Sequence, residues 1–203
     1  RSTLFPYTTL FRSTFTYAQE GSMTLFKGDR AGHFIAYHDR QLVVEKSGQE
    51  TPLGTLNFSD LRAGREWRPN GLPFTVRIVK TCRNCAFRPR PTPLPLGDDK
   101  ILRGRARMFD LSPKPPEKED EANQSGILFE IKGSGTDKDG IHLSTDFVDI
   151  APWVKVGADT YTIGLRKRQI PLPFDVELMD FQKKLHPGTD MAAAYESTVM
   201  IYD

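Results

Sequence analysis

Pro171-Leu172-Pro173-Phe174-Asp175-Val176-Glu177-Leu178-Met179-Asp180-Phe181 opens the stretch that decides the fold. Leu185-His186-Pro187-Gly188-Thr189 and Tyr195-Glu196-Ser197-Thr198-Val199-Met200-Ile201-Tyr202-Asp203 complete it. Phe174, Val176, Leu178 and Met179 alternate with Asp175, Glu177 and Asp180, the pattern of a half-buried strand. Pro187-Gly188 supplies a turn, with Pro fixing one dihedral and Gly accepting positive φ. A second alternating run starts near Tyr195, with Val199 and Ile201 on one face. The stretch reads strand, turn, strand, and the pattern is cut off at Asp203, which predicts a truncated C-terminal end.

Working outward, the same period recurs along the chain. Ser22–Lys27 alternates and meets a turn signal at Gly28-Asp29. Residues 34–37 and 42–45 flank His38-Asp39-Arg40-Gln41, which predicts a hairpin. Further strands are predicted over 53–58, 74–80, 127–132, 140–144, 153–156 and 160–166. Spacings of about ten residues, punctuated by Gly, Pro, Asp and Asn, predict a mainly β chain folded as an antiparallel β-sandwich or barrel. Short helical turns are expected near 60–64 and 183–186. Gly71-Leu72-Pro73-Phe74 is echoed by Pro171-Leu172-Pro173-Phe174, in each case with Pro opening a strand.

Between Pro89 and Gly126 the texture changes. Pro89, Pro91, Pro93 and Pro95 favour an extended path, and Pro113-Lys114-Pro115-Pro116 leads into Glu117-Lys118-Glu119-Asp120-Glu121. So charged and Pro-rich a segment buries little apolar surface, and residues 112–126 are expected to form a mobile surface loop. Ile101–Leu111, between the two Pro-rich pieces, could pair as a strand of the main sheet.

The N-terminal residues read differently. Thr3-Leu4-Phe5-Pro6-Tyr7-Thr8-Thr9-Leu10-Phe11-Arg12-Ser13 looks like the direct translation of a short-read sequencing adapter. Residues 1–13 are therefore set apart as foreign, and 14–203 are expected to form a single β-rich domain.

The 203 residues are enough to bury a sizeable core. Basic and acidic residues, 28 and 26, nearly cancel, so no strong attraction to nucleic acid is implied. Lys100, Arg103, Arg105 and Arg107 form a basic cluster, read as a solvated face diluted by Asp98, Asp99 and Asp110. No apolar run reaches the length of a membrane-spanning helix.

The two cysteines form Cys82-Arg83-Asn84-Cys85. Such a pair can be a redox couple, half a zinc site or a haem attachment site. Haem attachment needs His after the second Cys, where Ala86 stands, and zinc needs a second pair of ligands. An incidental pair or a local disulfide is ranked ahead of a catalytic dithiol, because the flanks read as strand and loop. Of the four histidines, His33 and His38 frame a predicted strand with an odd spacing of five and would face opposite ways. His142 and His186 complete the set. Gly133-Ser134-Gly135-Thr136-Asp137-Lys138-Asp139-Gly140 reads as a polar turn. Neither a nucleophile elbow nor a phosphate-binding Gly-rich loop nor a His-Glu-x-x-His motif is present, so no enzymatic activity and no metal site are expected.

The phrase Leu172-Pro173-Phe174-x-Val176-x-Leu178-x-Asp180-Phe181, then His186-Pro187-Gly188-Thr189, then Tyr195-x-Ser197-x-Val199, resembles the extracytoplasmic part of the ResB family of cytochrome c biogenesis proteins. It covers about a sixth of the chain closely. The resemblance implies a domain on the periplasmic side of the inner membrane, anchored by helices outside residues 14–203. It further implies a complex with a ResC/CcsA-type membrane partner that delivers haem to apocytochrome c. Haem b would belong to the full-length protein and be held mainly by its membrane parts, and His186, inside the phrase, is the one candidate haem ligand within this stretch. Two other readings stay open: a generic extracytoplasmic β-rich binding module, using aromatics such as Trp67 or Trp153, and a thiol-disulfide oxidoreductase using Cys82 and Cys85.

Overall fold

A computed structural model describes residues 12–17, 21–91, 101–148 and 151–203. Most of the segment resembling an adapter, and Pro93 and Pro95 of the first Pro-rich piece, lie outside the described residues. The described chain is mainly β and its sheets are antiparallel, as the alternation predicts. None of the described sheets closes into a barrel, and the sandwich alternative is the one observed.

Packing divides the chain into two compact units, Arg1–His38 with Arg168–Asp203, and Asp39–Lys167. Length alone allows one large domain or two small ones. The division follows from the core residues, which gather into separate apolar clusters. The chain passes from one unit to the other within two long strands, β3 (Arg30–Lys46) and β12 (Asp159–Leu185).

In the first unit, β1 (Arg12–Tyr17) pairs with β2 (Gly21–Phe26), which pairs with the start of β3. The end of β12 pairs with β13 (Ala192–Tyr202) across the Pro187-Gly188 turn, where Gly188 takes φ +76°. Met23, Leu25, Phe34 and Leu178 are buried together, with Leu172, Val176, Phe181 and Val199 packed around them. The adjacent pair Leu178-Met179 breaks strict alternation, and the ladder shifts register between Leu178 and Asp180. Leu178 is thereby buried while Met179 faces solvent, as a β-bulge allows. Val199 points inward as expected, but Ile201 is exposed near the strand end.

The second unit contains the sandwich. One layer is the sheet β10-β9-β6-β5, made of Gly140–Thr145, Gly126–Lys132, Thr75–Cys82 and Glu66–Trp67. The other is built from the end of β3, β4 (Gly54–Asn57), β11 (Trp153–Val156) and the start of β12. Leu42, Val44, Phe74, Val76, Ile78, Phe129 and Ile163 are buried between the layers. Strand β9 is apolar on both faces: Ile127, Phe129 and Ile131 face the sandwich, while Leu128 joins a second cluster on the reverse side. That cluster is completed by Cys82, Cys85, Leu102, Ala106, Leu111 and Leu143. A continuous apolar run in a strand is what burial on both faces demands.

Several boundaries differ from expectation, each for a physical reason. His38-Asp39-Arg40-Gln41 makes no hairpin turn and lies inside β3, because Arg40 is buried by ion pairing instead of exposed on a turn. Residues 101–111 do not join the main sheet as a strand. Leu102 makes a single parallel bridge to Ile141, Gly104–Arg107 forms a 3₁₀ turn, and β8 (Phe109–Pro113) pairs with β7 (Cys85–Pro89) as a two-stranded ribbon. Phe58–Asp60 is the 3₁₀ turn near the first expected helical position, and Lys183–Leu185 is strand at the second. Pro73 precedes β6, but Pro171 and Pro173 lie within β12, so the echoed phrase serves two structural roles.

The charged segment 112–126 lies on the surface, and bonds tie it down. Lys114 N–H donates to the Asn84 carbonyl and Asn84 Nδ2 to the Pro115 carbonyl, at 2.8 and 2.6 Å. Glu117 N–H donates to Asn123 Oδ1 at 2.8 Å. Asp120 closes the segment against Arg40 and Arg83. A charged sequence signalled exposure but could not reveal these partners, which come from distant residues.

Candidate functional site

Within the second unit a cavity of about 230 Å³ opens beside β10. Each wall has a local cause. The 3₁₀ turn at Gly104–Arg107 is pinned by buried Ala106, whose carbonyl accepts from Arg90 Nε at 2.8 Å, and it carries Arg105 to the rim. Arg103 is fixed by its own N–H to the Ile141 carbonyl and by Nε to the Asp137 carbonyl, both at 2.8 Å. The β9–β10 turn is organised by Asp139, whose carboxylate accepts from the Gly133 and Ser134 amides and from Ser134 Oγ. Burial works against the charged Asp139 carboxylate, but these hydrogen bonds outweigh it and lower its pKa. The polar turn expected at 133–140 is thus present, and it sets Lys138 at the mouth.

The rest of the lining includes apolar residues. Ala151 lies against Gly164, where an added Cβ would sit 2.9 Å from the Ala151 Cβ, so only glycine lets this wall approach β12. The Pro152 carbonyl accepts from Ile163 N–H at 2.9 Å, and Trp153 pairs with Thr162 at the start of β11. Trp153 is 54% exposed, and Lys138 Nζ stands 5.2 Å from its ring centroid. Trp67 is partly buried and packs on the sandwich core.

His142 forms part of the floor. It is buried, stacks on Phe129 with centroids 5.8 Å apart, and meets the Lys138 carbonyl through Nε2 at 2.7 Å. A carbonyl only accepts, so Nε2 carries the proton in the neutral ring. Burial, with the nearby Arg103 and Lys138 charges, pushes the His142 pKa below its ordinary value and keeps the ring neutral. The charged groups at the mouth are then Arg103, Arg105, Lys138 and the single acid Asp137, whose side chain is 84% exposed. Such a site can hold an anion next to a flat apolar surface.

The other predicted residues lie elsewhere. Cys82 closes β6 and Cys85 opens β7; their Cα atoms are 5.7 Å apart, within the usual disulfide range, and the sulfurs are bonded. Both are buried in the second apolar cluster. Their hairpin is embedded further: Cys85 N–H donates to the Gln124 carbonyl at 2.8 Å and Ser125 Oγ to the Arg83 carbonyl at 2.7 Å. His186 is exposed in the turn between β12 and β13, where its carbonyl accepts from Thr189 N–H at 3.1 Å. His33 and His38 lie on β3, in the first unit. Among the described residues no group of three or more His, Cys, Asp or Glu side chains is arranged to hold a metal ion. No helix among them is long and apolar enough to cross a membrane.

A buried ionic network lies in the same unit. Arg40 Nε donates to Asp146 at 2.8 Å, with both side chains 2% exposed, and Nη1 reaches Asp120 at 3.3 Å. Its Nη2 donates to the Asp120 and Asn123 carbonyls, both at 3.1 Å. Burial alone would raise the Asp120 pKa, but hydrogen bonds from Arg83 and Asn123 and the charges of Arg83 and Arg40 hold it at about 2. This network braces the 112–126 segment.

Sequence reasoning found Arg103 and Arg105 as basic residues and Trp153 as an aromatic, without a reason to join them. Lys138 was legible only as part of a polar turn. The link was missed because it depends on the single bridge between Leu102 and Ile141, which brings the 101–107 segment to the β9–β10 turn. No family model, curated protein or solved structure matches this chain.

Proposed function

We propose that this chain is the periplasmic-side domain of a ResB-like cytochrome c biogenesis factor. Full-length protein would be held in the inner membrane by helices outside these residues, paired with a ResC/CcsA-type partner, and would assist haem delivery to apocytochrome c. The reading rests on the sequence phrase, and one structural observation supports it. Leu178 of the phrase is buried in the core of the first unit, and Leu172, Val176, Phe181 and Val199 of the phrase pack around that core. A phrase of this kind marks ancestry through packing, which suits a scaffold domain.

In this scheme the domain contributes surface and the membrane parts contribute haem ligands. Met179, Met200 and Ile201, each exposed on the hairpin, offer apolar side chains to a partner chain. His186 is exposed in the turn between β12 and β13, where its N–H donates to the Met191 carbonyl at 3.0 Å, and haem is assigned to the full-length protein.

Recovery of the complete gene and its neighbours tests the proposal. Apolar helices encoded on both sides of residues 14–203, beside a gene for a ResC-like protein, are expected. A secretory signal followed by this domain and a stop codon would overturn it. A generic extracytoplasmic binding module is the second reading, favoured by the exposed Trp153 beside the cavity.

A further inference from the structure

We infer that the cavity between the 101–107 segment and Trp153 is a binding site for a carboxylate carried on a flat apolar ring. This inference is independent of the haem-delivery reading. Three observations carry it. Arg105 lines the cavity, and its guanidinium meets no carboxylate or carbonyl among the described residues. Lys138 adds a second cation at the mouth, and its one acidic neighbour, Asp137, lies 3.6 Å away with its side chain in solvent. Neutral His142 adds no charge, so the rim carries more positive than negative charge.

The apolar half of the ligand is read from the rest of the lining. Pro152, Ala151 and the half-exposed Trp153 indole make an apolar part of the cavity lining. Indole faces stack with rings and attract cations, and Lys138 already lies over this one. A cavity of about 230 Å³ holds one or two fused rings. A charged carboxylate between Arg105 and Lys138, with its ring on Trp153, satisfies both halves, because charge-assisted hydrogen bonds are strongest where water is partly excluded.

Two sources share this chemistry: a free aromatic acid, or the C-terminal residue of a peptide ending in an aromatic side chain. The test uses 2-naphthoate and acetyl-Gly-Phe, each beside its neutral carboxamide. Binding is read from Trp153 fluorescence, with Trp153→Phe leaving Trp67 as the control. For ligands this small, a Kd of about 1 mM is expected for at least one of the acids. The carboxamides should bind about tenfold more weakly, as should the acids to Arg105→Ala. Lys138→Gln should weaken the acids to a lesser degree. These side chains lie at the surface, and unchanged far-ultraviolet circular dichroism will confirm that each variant folds. The acid that binds more tightly names the source. Equal affinity for acid and amide, no loss in Arg105→Ala, or no saturable signal from either acid would overturn the inference.

Discussion

The second unit buries Phe74, Val76, Phe129 and Ile163 between two facing layers of strands, whereas the first gathers Met23, Leu25, Phe34 and Leu178 from strands of one sheet. Their ion pairs differ in the same way. Arg40 and Asp146 are sealed at 2% exposure, while Lys27–Asp180 and Arg30–Asp175 stand in solvent. Burial sets what each pair contributes. Removing one partner of a sealed pair strands the other charge in low dielectric, whereas an exposed pair is screened by water and salt. The second unit therefore depends on specific interior partners, and the first on its apolar hairpin.

Substitutions can break this contrast, and the largest effects are expected in the second unit. Arg40→Ala leaves Asp146 buried without its cation and should cost about 3–5 kcal/mol. Phe129→Ala opens the sandwich and should cost about 3–5 kcal/mol. Denaturant unfolding monitored by hydrogen exchange in β6 and β9 checks both, and a loss under about 1 kcal/mol from Arg40→Ala would show that the network is not the brace described here. Leu178→Ala in the first unit should cost about 2–5 kcal/mol, because Leu178 is fully buried beside a bulge. Its effect should be read in the β12–β13 amides.

Acid sharpens the comparison. His142 is neutral in the fold with a lowered pKa, so the unfolded chain takes up its proton first. Stability of the second unit is then fully present above the ordinary histidine value of about 6.5 and begins to fall as pH drops below it. Asp120 adds a further loss from about pH 4 down to about 2, since its folded pKa is depressed. His142→Phe should remove the upper part of this dependence and keep the lower. In the first unit, hydrogen bonds from Gln182 and Lys27 lower the pKa of the exposed Asp180, so its contribution fades only below about pH 4. The smallest effect belongs to Lys27→Ala, which removes an exposed pair screened by water and salt and should leave the unfolding midpoint unchanged.

How far the sequence could be read follows the same contrast. The β12–β13 hairpin, β9 and β11 were legible, because period-two alternation and a Pro-Gly turn are local signals. The bulge at Met179 was legible only as an irregular letter. Residues 101–125 were not legible, because their structure depends on distant partners: Leu102 on Ile141, Lys80 Nζ on the Leu111 carbonyl, and Asp120 on Arg40 and Arg83. The division into two units was hidden for a related reason. It falls within β3 and β12, where alternation continues without a linker to mark a boundary.

The central claim is that the hairpin phrase belongs to a factor that delivers haem. The most direct measurement expresses the full-length protein with its ResC-type partner in a bacterium unable to mature c-type cytochromes. Haem stain on denaturing gels then reports covalent attachment. Covalent haem on cytochrome c is expected, kept in the Cys82→Ser, Cys85→Ser double variant and lost when Leu178→Asp breaks the hairpin core. Full-length protein present in the membrane at normal amounts, with no covalent haem formed, would contradict the account.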